Sequence, residues 1–149
     1  MSGIVPSDEA TAAYNKVKTG KQAWACFVVQ DEKSVECSHS VDYADGQKND
    51  FEKFESGIWA GLTEYVEENL ADKAAYIIVD VKQHKDGRDQ AKLTIISWCP
   101  ENKIKVKAKM LHGSTLNAVK QCFEGLQGKP VQASSVSDLE FSDVCSEIF

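Results

Sequence analysis

Cys37 and His39 stand two residues apart, a spacing that could begin a metal site, and His84 and His112 are the other imidazoles of the chain. A zinc site needs about four donors, and this pair has no companions in sequence. None of the three histidines has a serine or cysteine in a recognisable triad context. Glu67 and Glu68 are adjacent carboxylates, but they fall on a presumed helix surface where solvated acids are ordinary. Gly-rich phosphate loops are absent. These residue types predict no enzyme, no catalytic residue, no metal and no cofactor. The unusual chemistry is positive charge. In 98-WCPENKIKVKAKMLHG-113, Lys103, Lys105, Lys107 and Lys109 occupy every second position, with Ile104, Val106, Ala108 and Met110 between them. Clustered cations of this kind steer an acidic protein partner or attract anionic phosphoinositide headgroups.

The element carrying the lysines decides where they point. Strict alternation reads as a strand with one charged face. Pro100 argues against a strand interior, and Lys, Ala, Met and Leu are good helix formers. Beyond the alternation, Ile104, Ala108, Leu111, Ala118, Val119 and Cys122 keep to one side at helical spacing, so a helix is predicted. Ile104, Ala108 and Leu111 are expected to face the core, with Val106 and Met110 on the far side beside Lys109. Lys105 and Lys107 fall on opposite flanks. Gly113-Ser114-Thr115 marks an expected bend or break.

The other elements supply a scaffold. Ser7 as N-cap, Asp8 and Glu9 in the first turn and Gly20 past the end predict a helix over 8–18. Strands are expected over 24–30 and 35–41, joined by a turn at 31–34. After a polar loop at 42–50, apolar residues from Phe51 to Leu70 recur at threes and fours, with Gly57 and Gly61 able to divide that helix. Strands at 76–81 and 92–98 are apolar on both faces, with 84–90 between them as a loop longer than the minimal turn. A sheet flanked by helices is implied.

The 149 residues suit one domain, 42% hydrophobic and 27% charged. Five widely spaced cysteines, an odd number without C-x-x-C, predict thiols in a reducing cytosol. A net charge of -6 disfavours nucleic acid. No run approaches the ~20 apolar residues of a membrane span, and the start lacks a secretory signal. A cytoplasmic protein is expected.

The same lysine stretch resembles the ADF/cofilin family, whose members follow a strand with W-x-P, then a basic K-x-K-M helix and an S/T-rich kink. Here these read 98-WCP-100, 107-KAKM-110 and 114-ST-115. The start, 2-SGIVPSDEA-10, is similar to the family's N-terminal segment, and Tyr14-Asn15 with Lys18, Gly20 and Lys21 fits its first helix. The stretches 126-LQGKPVQA-133 and 138-DLEFSDV-144 resemble its last strand and the entry to its final helix. The similarity runs through most of the chain in the right order, as one ADF-homology domain over 1–149.

The resemblance implies an α/β (mixed α+β) fold, a central five- or six-stranded mixed sheet with helices on both faces. It implies actin as partner, monomer binding, promotion of filament depolymerisation and turnover, a cytoskeletal location and a monomeric state. Carried over by position, Ser2, Gly3, Ile4, Lys107, Lys109 and Met110 would meet the actin monomer. Ser2 would be the phosphorylation point, and Lys103, Lys105, Lys107 and Lys109 would hold phosphoinositides. Burying Met110 or Ile4 would contribute about 1.5–3 kcal/mol each, against about 0.2–1 for each exposed charge pair.

The filament-side contact implied by the family departs from the pattern. Arg88, Lys92 and Glu147 hold its places here, but Gln90 and Ile148 stand where basic residues are usual. Weak filament severing is therefore expected. The segment over 42–68 is longer than usual in the family. The alternative is a coactosin-like protein that coats filament sides without severing; Lys92 suits it, while the intact KAKM helix favours ADF/cofilin.

Overall fold

The computed structural model describes residues 3–127 and 129–149. The chain runs β1 (Val5–Pro6), α1 (Asp8–Lys18), β2 (Gln22–Gln30), β3 (Ser34–Asp42), a π-helical turn (Glu55–Trp59) leading into α2 (Ala60–Asn69), β4 (Ala75–Lys85), β5 (Arg88–Trp98), α3 (Val106–Cys122), β6 (Val131–Ala133) and α4 (Phe141–Ile148). The strands form one mixed sheet in the order β1-β3-β2-β4-β5-β6. Its centre is antiparallel, and β1 and β6 each pair in parallel at the edges.

Alternation along the central strands creates two cores. Trp24, Cys26, Ile77 and Val79 point to one face, where Leu62 and Val66 of α2 and Val144 and Ile148 of α4 cover them. Ala25, Phe27, Tyr76 and Ile78 point to the other, under Ala10, Tyr14 and Val17 of α1 and Val119 of α3. Both faces are buried, as the continuous apolar runs of β2 and β4 require. Side-chain hydrogen bonds tie the layers together: Trp59 Nε1 donates to the Leu139 carbonyl and Trp98 Nε1 to the Leu70 carbonyl, each at 2.8 Å. The five cysteines are thiols.

Helix α1 has the bounds its sequence predicts. The Ser7 hydroxyl accepts from the Ala10 amide at 3.1 Å, and Gly20 takes φ +82° just beyond the C-cap. The segment from Phe51 to Leu70 divides as the glycines allow. The Trp59 amide reaches back five residues to the Phe54 carbonyl before regular α-helix begins at Ala60.

Two local expectations need correction. The connection between β4 and β5 is no long loop: Lys85 pairs with Arg88, and Asp86-Gly87 alone turns the chain with φ of 54° and 76°. Asp-Gly is the strongest two-residue signal for such a turn, and the polar residues around it are strand. Helix α3 starts inside the lysine run, at Val106 with Lys105 as N-cap, and crosses 113–115 without interruption. Ser114 bonds back to the Leu111 carbonyl at 3.3 Å inside the continuous helix.

Candidate interaction surface

Helix α3 follows a strand end, Pro100 and one 3₁₀ turn (Glu101–Lys103), which release the chain from the sheet. Its first two turns overhang the sheet edge. The residues that anchor it come later: His112, Thr115 and Val119 are buried, one helical face at spacings of three and four. The expected inner face is buried at Val119, and Leu111 packs against the core, but its start at Ile104 and Ala108 is not buried. Ala108 is exposed, and Ile104 and Leu111 are half-buried. They line an apolar groove of about 510 Å³ together with Val28 and Val29 of β2.

His112 is the bolt of this arrangement. Its ring stacks on Tyr76 at 4.3 Å, and its Nε2 lies 2.9 Å from the Ser97 hydroxyl. The Tyr76 hydroxyl donates to the His112 carbonyl. Burial pushes the imidazole down to about 4, so it is neutral at neutral pH.

On the outer face the expectation holds: Val106 and Met110 are each 69% exposed, an unusual level for large apolar side chains. The lysines surround them. Lys105 is the N-cap, and Lys107 projects to the β2–β3 turn, where its ammonium lies 3.0 Å from Glu32. Asp31 and Glu32 hold that turn with φ of 53° and 56°, the left-handed region. Lys109 is half-buried and Lys103 exposed. Lys107 and Lys109 are about 200° apart around the helix, so the four cations ring an apolar patch instead of forming one basic stripe. Sequence reasoning missed Glu32 and the groove; the acidic pair 31-DE-32 was visible, its proximity to α3 was not.

The N-terminal segment completes the surface, since β1 packs against α3. Gly3 is exposed with φ +74°. Ile4 is only 4% exposed and belongs to the core with Ala10 and Val35, which corrects its expected part as a solvent-facing contact. The parallel bridge to β3 turns Val5 outward instead, at 49% exposure. Ser2 lies outside the described residues.

The second expected patch is divided. Arg88 stands at the hairpin tip beside Lys85. Lys92 is half-buried, and its ammonium donates to the Ile148 carbonyl at 2.6 Å, at the C-terminal end of α4. Gln90 is bonded to Gln83 at 2.6 Å, and Glu147 is exposed on α4. A cleft of about 660 Å³ lies between the hairpin tip and α4, lined by Phe51, Phe141 and Phe149 and by Lys85, Arg88, Glu52 and Glu55. Sequence reasoning omitted Lys85 because it read that stretch as loop. Among the described residues, no group of three His, Cys, Asp or Glu is placed to hold a metal ion. No described helix is long and apolar enough to cross a membrane.

A six-stranded mixed sheet between two helix pairs, with a basic helix overhanging its edge beside the N-terminal segment, defines a docking protein of the ADF-homology class. The profile of the cofilin/tropomyosin-type actin-binding proteins matches residues 3–148, and the chain belongs to that family. The family is one of actin-binding proteins, not of enzymes. Actophorin of Acanthamoeba castellanii is 28% identical over 148 residues, covering 99% of this chain and 95% of that protein. The ADF-like UNC-60A protein of Caenorhabditis elegans superposes with a TM-score of 0.76 at 17% identity, over 98% of this chain and 94% of that one. Coactosin from Entamoeba histolytica gives 0.69 at 18% identity, over 99% and 96%.

Proposed function

We propose that this protein binds actin monomers through α3 and the N-terminal segment, and promotes filament depolymerisation and turnover with weak severing. The observation that carries the reading is the pair Val106 and Met110, exposed on one face of α3 and ringed by lysines. Burying them would supply most of the affinity, at about 1.5–3 kcal/mol each. Lys105, Lys107 and Lys109 would orient an acidic partner and raise the association rate. The groove beside Ile104 and Leu111 gives a partner's apolar side chain a place to enter. Ser2 and Gly3 would extend the contact along the N-terminal segment, and phosphate on Ser2 would repel an acidic surface.

The cytosolic side of the cytoskeleton is the proposed site of action, as a monomer. Phosphoinositide headgroups would compete for Lys103, Lys105, Lys107 and Lys109. A coactosin-like filament-side binder is the second reading, favoured by the fold likeness to coactosin. Monomer-binding fluorescence alongside filament co-sedimentation separates them. Slowed nucleotide exchange on the monomer supports the first reading; filament pelleting without any monomer effect supports the second.

A further inference from the structure

On the sheet face opposite α3, a pocket of about 260 Å³ opens between α2 and β3. Two backbone irregularities build it. Ser38 is an extra residue on β3, because Cys26 pairs with His39 while Phe27 pairs with Cys37. That bulge reverses the facing of the rest of the strand: Val35 and Cys37 join the core under α1, whereas His39 and Val41 turn toward α2. The second irregularity is the π-helical turn at the start of the α2 segment, and Gly57 within it and Gly61 just after it line the pocket. Bulges and π-turns interrupt regular hydrogen bonding and recur at binding sites. Here one of each meets at the same cavity.

The walls have a definite chemistry. His39 and Tyr65 stack at 4.3 Å with their planes 8° apart, and Trp24 closes on both rings at 5.5 and 5.4 Å. A Cβ built at Gly61, which lines the same pocket as the rings, would meet nothing within 4 Å. Glu64 and Glu68, one turn apart on α2, stand at the rim, and no Lys or Arg lines the pocket. The nearby Lys48 is directed to Gly20 instead. The volume is below the ~300 Å³ typical of drug-sized ligands and suits a single side chain.

We propose that this pocket receives an arginine side chain from a segment of a partner protein. A flat guanidinium stacks on an aromatic wall while its forked donors reach two carboxylates, a combination that an ammonium matches poorly. The interaction is separate from the actin surface, since α2 and α3 cover opposite faces of the sheet.

The test is a titration of ¹⁵N-labelled protein with a short blocked peptide, Gly-Arg-Gly, and with its citrulline and lysine counterparts. Expected are saturable shifts confined to His39, Gly61, Glu64, Tyr65 and Glu68, with no saturation by the citrulline peptide and weaker binding of the lysine peptide. The surface variant Glu64→Gln/Glu68→Gln should weaken arginine binding about three- to tenfold. Gly61→Leu, at an ordinary helical position, should fill the cavity and abolish binding while monomer-actin binding stays intact. Shifts scattered over the acidic surface, equal binding of the citrulline or lysine peptide, or undiminished binding by Gly61→Leu would each overturn the proposal. Should Gly61→Leu fail to fold, the charge-neutral surface double variant decides the question by itself.

Discussion

Acidification should loosen α3 before it unfolds the rest of the protein, and His112 is the group responsible. Its imidazole is held at about 4 by burial, against an ordinary 6.5. In the window between these values the unfolded chain binds a proton that the folded chain does not. Stability is therefore complete above pH 6.5 and falls as pH drops toward about 4, at up to about 1.4 kcal/mol per unit for the one proton. The total reaches roughly 3 kcal/mol, a large part of the 5–15 kcal/mol typical of a small domain. Other groups act in or near this window. His84, raised by its bond to Asp89, contributes in the opposite sense, stabilising below its ordinary 6.5 and fading as pH rises. Asp80, raised by burial, also opposes the trend. Glu36 and Asp138 are held low, by the Ser34 hydroxyl and the Ser134 amide foremost, so their contributions are lost only below about 4.5 and 3.8. All four are unchanged in His112→Gln, whose amide can still meet Ser97 without titrating. Urea melts of both proteins from about pH 7 to about pH 4.5 isolate the effect: the wild-type curve should fall toward that of the variant. Parallel curves would show that His112 titrates normally and that its burial is not what anchors the helix.

The remaining predictions concern the docking surfaces. Lys107→Ala/Lys109→Ala should remove most monomer binding while the melting profile stays native, because both ammonium groups lie outside the buried face of α3; unchanged affinity in monomer fluorescence would take the helix out of the site. Ser2→Glu should weaken monomer binding in part and Ser2→Ala should not, since one glutamate carries less charge than a phosphate; two wild-type affinities would place the terminus elsewhere. Filament severing should be weak in single-filament microscopy, because Lys92 is bound to the α4 terminus and Lys85 and Arg88 share their cleft with two glutamates. Frequent breaks at low protein concentration would show that the hairpin tip supplies enough free charge.

Much of the fold was legible because local signals and burial agree. Ser7, the acids after it and Gly20 mark the two ends of α1 in local sequence. The apolar runs of β4 and β5 announced a sheet covered on both sides. The errors have a common origin, which is that periodicity states a direction but not what lies in that direction. Ile104, Ala108 and Leu111 do share a side, yet a groove opens between them and Val28 and Val29 of β2. Position alone puts Ile4 at the actin contact, whereas its burial with Ala10 and Val35 depends on the pairing of β1 with β3. Lys107 carried the right charge, but its contact with Glu32 spans 75 positions of chain and had no local signature.

The β4–β5 hairpin sets a reach as well as a shape. β2 pairs with β4 only from Tyr76 to Val79, and β6 pairs with β5 only from Ile96 to Trp98. The rest of the hairpin is a two-stranded ribbon that carries Lys85 and Arg88 roughly 20 Å beyond Val79 at about 3.3 Å per residue. Such a ruler has discrete settings. Removing one residue from each arm would exchange its faces and send Val81 and Leu93, which belong to opposite cores, each to the wrong side of the sheet. Removing two from each would keep the facing and retract the tip by about 7 Å. Homologous chains that vary this hairpin should therefore differ by even numbers of residues per arm, and the span between tip cations and basic helix should change in steps.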